Sequence, residues 1–318
     1  MKSKSRSIYQ SLLCFQENLC SMNVFDLNYK ILIYCGAYLI EFFILYPSFA
    51  SFKWILLRRI GMNSVECKSV FSNRKSNFYL SSLIAKYGDR QLRIVDGLPR
   101  KLSHFAVGFW QMFIFNFFIQ DTYIGMIGTL SYQIILLFLY IVSYSSNKIF
   151  GLSGILYGSD ARIRDGIYGR KNALVVKFSF LNLLPLYFIE YMARDNLANS
   201  ANLLLFPSFV FLPLTIGDAL GEIIGTTWGK QKLRVWGIGE INRKSVLGTT
   251  SVFLGSLLPL IWLVAFKGLS LPWWLLCLAV AIATMAIELI APRGTDNFFI
   301  PLGNALVCLV FVNVFAVI

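Results

Sequence analysis

The sequence predicts an all-α integral membrane protein, a polytopic bundle of about eight transmembrane helices, with seven to nine as the expected range. Of its 318 residues, 57% are hydrophobic and only 14% are charged, whereas a soluble domain has about a quarter charged residues. Apolar stretches of about 20 residues, enough to cross a hydrocarbon core of about 30 Å, recur along the chain. Helices satisfy their own backbone hydrogen bonds in lipid and are therefore the expected form of these stretches.

The predicted spans follow one another from residue 30 to the last residue of the sequence. They are 30–50, 104–120, 122–145, 172–192, 201–217, 248–267, 271–291 and 298–318. Three regions are expected from them: an N-terminal tail over 1–29, a first span with a basic cytoplasmic segment over 30–103, and a catalytic transmembrane domain over 104–318. The basic part, 51–103, is expected to lie on the membrane surface, with an amphipathic helix near 78–86.

The positive charge of the chain sits between the apolar stretches. The net charge is +13, and most of the 29 Lys and Arg residues fall in 51–103, 146–171, 218–247 and 292–297. Under the positive-inside rule these segments face the cytoplasm, so the active site is expected on that face. The basic residues form no stripe with exposed aromatics, which argues against nucleic acid as a partner, and anionic membrane lipids explain the excess better. No sequence pattern indicates a protein partner.

Glycine recurs every four residues where the span 201–217 ends, at Gly217, Gly221, Gly225 and Gly229. On a helix this repeat makes a smooth strip that either a second helix or a phosphate chain can approach closely. For the glycines alone, helix packing is the favoured interpretation.

Two carboxylates accompany the glycine strip. Asp218 and Glu222 are four residues apart and share a helical face at the expected membrane boundary. A carboxylate is costly there unless it is paired or binds a cation, and a Mg²⁺ ion carried by a triphosphate fits such a pair. The alternatives are an ordinary charge at a helix end and pairing with a nearby lysine.

A basic and hydroxylated segment opens the next span. Arg243, Lys244 and Ser245 precede Gly248 at a predicted helix N-terminus. Cations, a hydroxyl and free backbone N–H groups at such a place suit negative phosphate oxygens. The alternative for the two cations is a positive-inside anchor.

These residues together resemble the CTP-dependent lipid kinases, the group of dolichol, phytol and farnesol kinases and the yeast-type diacylglycerol kinase. The shared pattern is Gly-Asp-Ala-x-x-Glu, then Gly-x-x-x-Gly-Lys, then Lys-Ser-x-x-Gly. Gly221 and Leu247 stand where dolichol kinases usually have alanine and glutamate, so the chain looks nearer the phytol kinase branch. The resemblance implies Mg²⁺ as cofactor, CTP as phosphate donor, and a nucleotide site at Asp218, Gly225, Gly229, Lys230, Lys244, Ser245 and Gly248.

Two further elements resemble the same family. Arg100-Lys101-x-x-His104 is similar to an Arg-Lys-x-x-His element, and Glu288 with Asp296-Asn297 is similar to a glutamate followed by an Asp-Asn pair. From the residues alone, His104 is equally an interfacial aromatic at the start of a span. Glu288 lies in an apolar stretch, which favours a functional role, and pairing with Arg293 is the alternative. Asp296 and Asn297 are either a second metal or nucleotide contact or a polar turn.

The expected reaction places a nucleoside triphosphate along the glycine strip, with Lys230, Lys244 and Ser245 on the phosphate oxygens. Mg²⁺ is held by Asp218 with Glu222, Glu288 or Asp296, while Lys101 and His104 either orient the phosphate or polarise the alcohol. Arg162 and Arg164 belong to a polar run that is either a phosphate-facing loop or a solvated loop. Glu41, inside the first span, has no obvious partner in the sequence.

The acceptor implied by the resemblance is a prenyl alcohol such as phytol, farnesol, dolichol or polyprenol. A CTP-dependent diacylglycerol kinase and a cytidylyltransferase that makes a CDP-lipid are the enzymatic alternatives. A non-enzymatic lipid transporter is the alternative from another class, although few charges lie deep in the predicted spans.

Overall fold

The computed structural model describes residues 24–72, 77–114, 131, 134–142, 205–236, 241–291 and 295–315. These residues form helices and one short β-hairpin. The predicted span 172–192, most of the span 122–145, and the loop with Arg162 and Arg164 lie outside the described residues.

One continuous helix forms the first span. It consists of α1 (Val24–Ile40), a π-helical turn over Glu41–Leu45, and α2 (Tyr46–Arg59). The predicted span 30–50 falls within it, but the helix runs on to Arg59. Glu41 is fully buried in the wide turn and accepts a hydrogen bond of 3.0 Å from Gln111 Nε2. The sequence had suggested no partner for this carboxylate, and a distant helix supplies one.

The basic segment after the first span folds into three helices. They are α3 (Ser64–Ser72), α4 (Asn77–Tyr87) and α5 (Asp89–Ile114). A helix is therefore present at the predicted position 78–86. With α2 these helices bury a small core of their own, formed by Leu57, Met62, Cys67, Val70, Leu83, Leu92 and Val95.

Helix α5 begins much earlier than the predicted start of the second span at residue 104. Gly88 has a φ of 82°, a conformation that ends α4, and Asp89 opens the new helix. The charged residues between 90 and 101 had argued against a span there. Several of them are buried in α5 because oppositely charged side chains on neighbouring helices pair with them.

The glycine-rich segment lies within a second long helix. This helix consists of α6 (Phe206–Leu212), a π-helical turn over Pro213–Asp218, and α7 (Ala219–Thr227). The helix widens at Pro213, which has no N–H to donate to the preceding turn. The predicted end of the span at residue 217 is therefore wrong, because the helix continues for ten more residues to Thr227. Asp218 and Glu222 lie inside it.

A β-hairpin joins α7 to the next helix. Strands β1 (Lys232–Trp236) and β2 (Ile241–Ser245) are antiparallel, and their register pairs Lys232 with Ser245 and Arg234 with Arg243. This hairpin was not predicted from the sequence. Apart from this hairpin, regular structure in the described residues is helical, in keeping with the all-α prediction.

Three apolar helices follow the hairpin: α8 (Val246–Phe266), α9 (Leu271–Ile290) and α10 (Asp296–Phe315). They match the last three predicted spans to within three residues at each end. Within the described residues, four helices are long and apolar enough to cross a membrane: Asn28–Arg59, Phe206–Thr227, Val246–Phe266 and Leu271–Ile290. A mostly helical membrane protein is thus confirmed, and the eight crossings stay a prediction.

The apolar core of this bundle lies between α6, α8, α9 and α10. It includes Phe206, Phe209, Leu260, Trp273, Leu276, Val280, Ala305 and Cys308. A short polar chain crosses the core: Thr284 donates to Asn304 Oδ1 at 3.0 Å, and Asn304 donates to the Val210 carbonyl at 3.3 Å.

Candidate active site

The glycine face of α7 packs directly on α8. A Cβ atom added at Gly225 would lie 2.9 Å from Ser245 Oγ and 3.1 Å from Gly248 Cα. One added at Gly248 would lie 3.0 Å from the Gly221 carbonyl oxygen. Helix α8 and its cap fill that face, and the path of the triphosphate along Gly221, Gly225 and Gly229 stays a prediction. The packing interpretation of the glycine repeat is confirmed.

Ser245 fixes the start of α8. Its side chain accepts a hydrogen bond of 3.0 Å from the Gly248 N–H, and its hydroxyl lies 3.4 Å from the Gly225 carbonyl oxygen. The first contact is the N-cap of α8, and the second joins this cap to α7. The hydroxyl predicted to hold a phosphate oxygen is buried and engaged in this cap, and Gly248 is part of the same crossing.

Helices α5 and α7 face each other through buried charges. Lys101, whose side chain is 1% exposed, forms an ion pair with Asp218, and its Nζ lies 3.3 Å from Glu222 Oε2. Arg100 forms an ion pair with the same Glu222 oxygen. Buried charges persist in an apolar bundle only when they are paired, so these contacts hold α5 against α7.

A third cation and two more carboxylates join this group from α9, α10 and the hairpin. Lys244 forms an ion pair with Glu288, the residue for which Arg293 was an alternative partner. Asp218 is close enough to Glu222 and Asp296 to interact with them electrostatically, and Glu288 interacts in the same way with Asp218 and Asp296. We refer below to the polar cluster, which consists of Arg100, Lys101, Asp218, Glu222, Lys244, Glu288 and Asp296.

The polar cluster brings together residues that are far apart in the sequence. All four carboxylates predicted to hold a metal ion belong to it, as do two of the predicted catalytic residues besides Asp218. His104 lies three residues after Lys101 on α5 and is partly buried. Asn297 lies in the first turn of α10, where its N–H donates to the Asp296 side chain at 3.1 Å.

The remaining predicted residues lie near the hairpin. Lys230 is exposed just beyond the end of α7. The backbone of Arg243 lies in β2 opposite Arg234. A basic hairpin thus stands next to the polar cluster, and binding of nucleotide by Lys230 and Arg243 stays a prediction.

Sequence reasoning missed several residues that build the site. Arg100 was noted only as part of a motif, yet it is 7% exposed and pairs with Glu222. Gly97, one turn earlier, lets Glu222 approach: a Cβ there would lie 3.3 Å from Glu222 Oε1. Lys53 on α2 forms a buried ion pair of 2.8 Å with Asp96 on α5. The four-residue spacing of Asp96 and Arg100 on one helical face was the available signal.

The donor atoms of the cluster suit a hard cation. Mg²⁺ prefers carboxylate oxygens, and four carboxylates are present. Among the described residues, however, no three His, Cys, Asp or Glu side chains form a ready-made metal site. Asp218, Glu222 and Glu288 are each paired with a cation, so metal binding requires these ion pairs to exchange partners.

The fold and the site define a helical membrane protein with buried, paired charges where several helices meet. The chain is similar to the phytol kinase of Synechocystis sp., with 31% identity over 109 residues, which is 34% of this chain. The matched segment spans 45% of that relative's length. No family model and no solved structure matches the chain. This partial similarity supports the predicted relation to prenol kinases.

Proposed function

We propose that the protein is a membrane kinase that transfers the γ-phosphate of a nucleoside triphosphate to the hydroxyl group of a prenyl alcohol. The observation that carries the proposal is the polar cluster, in which four carboxylates and three cations meet among apolar helices. The similarity to a phytol kinase indicates the reaction class. CTP is the proposed donor, and phytol, farnesol, dolichol or another polyprenol is the proposed acceptor.

The charges of the cluster match what phosphoryl transfer requires. The negative charge that spreads over the transferred group must be neutralised, and catalysis depends mainly on this and on positioning. Arg100, Lys101 and Lys244 supply positive charge within a largely buried site. Asp218 and Asp296 are the proposed ligands of Mg²⁺, which would neutralise charge on the phosphates when bound.

The acceptor hydroxyl is expected beside α5. His104 follows Lys101 by about one helical turn, within reach of a group bound next to the cluster, and is the proposed acceptor of the hydroxyl proton. Beyond it on the same helix, Phe105 and Phe109 are exposed and stack with ring centroids 6.2 Å apart. An apolar stripe of this kind suits a prenyl chain. The density of basic residues near the cluster favours the cytoplasmic face.

The proposal is tested by phosphate transfer with purified protein. Wild type and Asp218→Asn are incubated in detergent with Mg²⁺, γ-labelled CTP or ATP, and a panel of prenyl alcohols and diacylglycerol. Asp89→Asn is the matched control, because Asp89 is an exposed carboxylate paired with Arg93 outside the cluster. Label should enter the organic phase with wild type and the control and be lost with Asp218→Asn. Label transfer by Asp218→Asn at the wild-type rate would contradict a role of the polar cluster in the reaction.

A further inference from the structure

Glu222 makes contacts that a phosphate oxygen would be expected to make. Its Oε2 accepts a hydrogen bond from Arg100 Nη2 and lies 3.3 Å from Lys101 Nζ. Its Oε1 lies against Gly97, where an added Cβ would be only 3.3 Å away. One oxygen held between a guanidinium and an ammonium, beside bare backbone, is an arrangement that also suits phosphate.

Arg100 has a hydrogen-bond donor, its Nε–H group, that its contacts with Glu222 do not use. Its Nε is buried and has no hydrogen-bond partner among the described residues, and the residue as a whole is only 7% exposed. A buried donor is costly to leave unpaired, so such a group in a folded protein calls for an explanation. A ligand with several oxygens, such as a phosphate, can accept from Nε and from a terminal nitrogen together.

Glu222 is also the member of this group that can leave most easily. Its side chain is 22% exposed, compared with 8% for Arg100, 6% for Asp218 and 1% for Lys101. The cations and Asp218 are thus held in the interior, while Glu222 lies at the edge of the cluster.

We propose that Arg100 and Lys101 are a phosphate-binding pair and that Glu222 occupies this pair when no phosphate is bound. The identity of the ligand rests on the proposed kinase function. On binding, Glu222 moves outward, and Arg100 donates from Nε and Nη2 to phosphate oxygens. Lys101 keeps its contact with Asp218. Glu222 is thereby a competitor of the anion in the absence of metal.

The test measures binding of inorganic triphosphate by the full chain in neutral detergent without divalent metal, using calorimetry. Glu222→Gln keeps the shape of the side chain but removes the competing charge, so the affinity should rise about tenfold. Arg100→Met should lower the affinity at least about tenfold, and Glu222→Gln should give no gain in that background. Asp89→Asn should bind like wild type. A parallel titration with a short-chain phosphatidic acid distinguishes a lipid headgroup from a nucleotide phosphate as the preferred source.

An unchanged or weaker affinity of Glu222→Gln would overturn the proposal, provided that the variant unfolds at the wild-type temperature. If it does not fold, Glu222→Ala serves in its place with the same expectation. Normal label transfer by wild type together with no gain from either variant would reject only the role of Glu222. Failure of every variant to bind triphosphate, together with absence of label transfer, would reject the kinase function as well.

Discussion

The contact between α7 and α8 is close enough that a single methyl group should weaken it. In Gly225→Ala the new Cβ would lie 2.9 Å from Ser245 Oγ and 3.1 Å from Gly248 Cα. The second neighbour is backbone and cannot rotate away. Overpacking of this kind costs about 1–3 kcal/mol, against a gain of about 0.5–1 kcal/mol from replacing a helical glycine. We therefore expect a net loss of about 0.5–2 kcal/mol in the free energy of unfolding.

Gly36→Ala is the matched control, because that glycine is also inside a helix and an added Cβ would have no neighbour within 4 Å in the described part of the chain. This change should leave stability unchanged or raise it by up to about 1 kcal/mol. Chemical or thermal unfolding of the detergent-solubilised protein measures both variants. A Gly225→Ala variant as stable as Gly36→Ala would show that α7 and α8 are not in close contact. Loss of nucleotide binding at unchanged stability would support the triphosphate path along the glycines.

Three other substitutions test the charges. Asp96→Asn leaves the buried Lys53 ammonium without its counter-ion and should lower the free energy of unfolding by about 3–5 kcal/mol. Lys53→Met combined with Asp96→Leu should recover most of this loss. Equal losses in the single and the double variant would contradict the ion-pair account. Glu66 has its pKa lowered from 4.5 to about 2 by hydrogen bonds from Lys86, the Asn63 N–H and Tyr87. Because the folded-state pKa is the lower one, this contribution is complete above pH 4.5 and is lost towards pH 2. Glu66→Gln should therefore cost about 0.5–1 kcal/mol at pH 7, and its difference from wild type should vanish in acid; a constant difference in unfolding titrations across this range would refute the assignment. Lys244→Met should lower label transfer at least about tenfold through loss of its charge, while Lys267→Met, at the other end of α8, should not, and equal rates would exclude Lys244 from the site.

The apolar helices were predictable because their signal is local. A run of about 20 apolar residues reports on lipid directly, and the last three spans agree with the structure to within three residues. Charged stretches gave the wrong boundaries. The span before Asp218 was ended too early and α5 was started too late, because charged residues were assumed to be exposed to water. In the structure Lys101 and Asp218 neutralise each other across 117 residues of sequence.

The members of the site were easier to predict than their contacts. Motif spacing brought Lys101, Asp218, Glu222 and Glu288 into consideration, and the structure brings them together. Spacing carries no information on which cation meets which carboxylate, so the Lys244–Glu288 pair was missed. The glycine repeat fitted both packing and phosphate binding, and the sequence alone did not show that α8 packs on this face. The hairpin was missed because strands of five residues give a weak periodic signal.

The central claim is that the polar cluster transfers a terminal phosphate to a lipid alcohol. Parallel incubations of the purified protein with α-labelled and γ-labelled CTP, Mg²⁺, and either the preferred alcohol or phosphatidic acid test it most directly. We predict that γ-label enters the lipid phase and that α-label stays in water as the nucleoside diphosphate. Both the transfer of γ-label and the formation of the diphosphate should depend on Asp218. Entry of α-label into lipid with release of pyrophosphate would indicate a cytidylyltransferase, and absence of both labels from lipid in well-folded protein would contradict the kinase account.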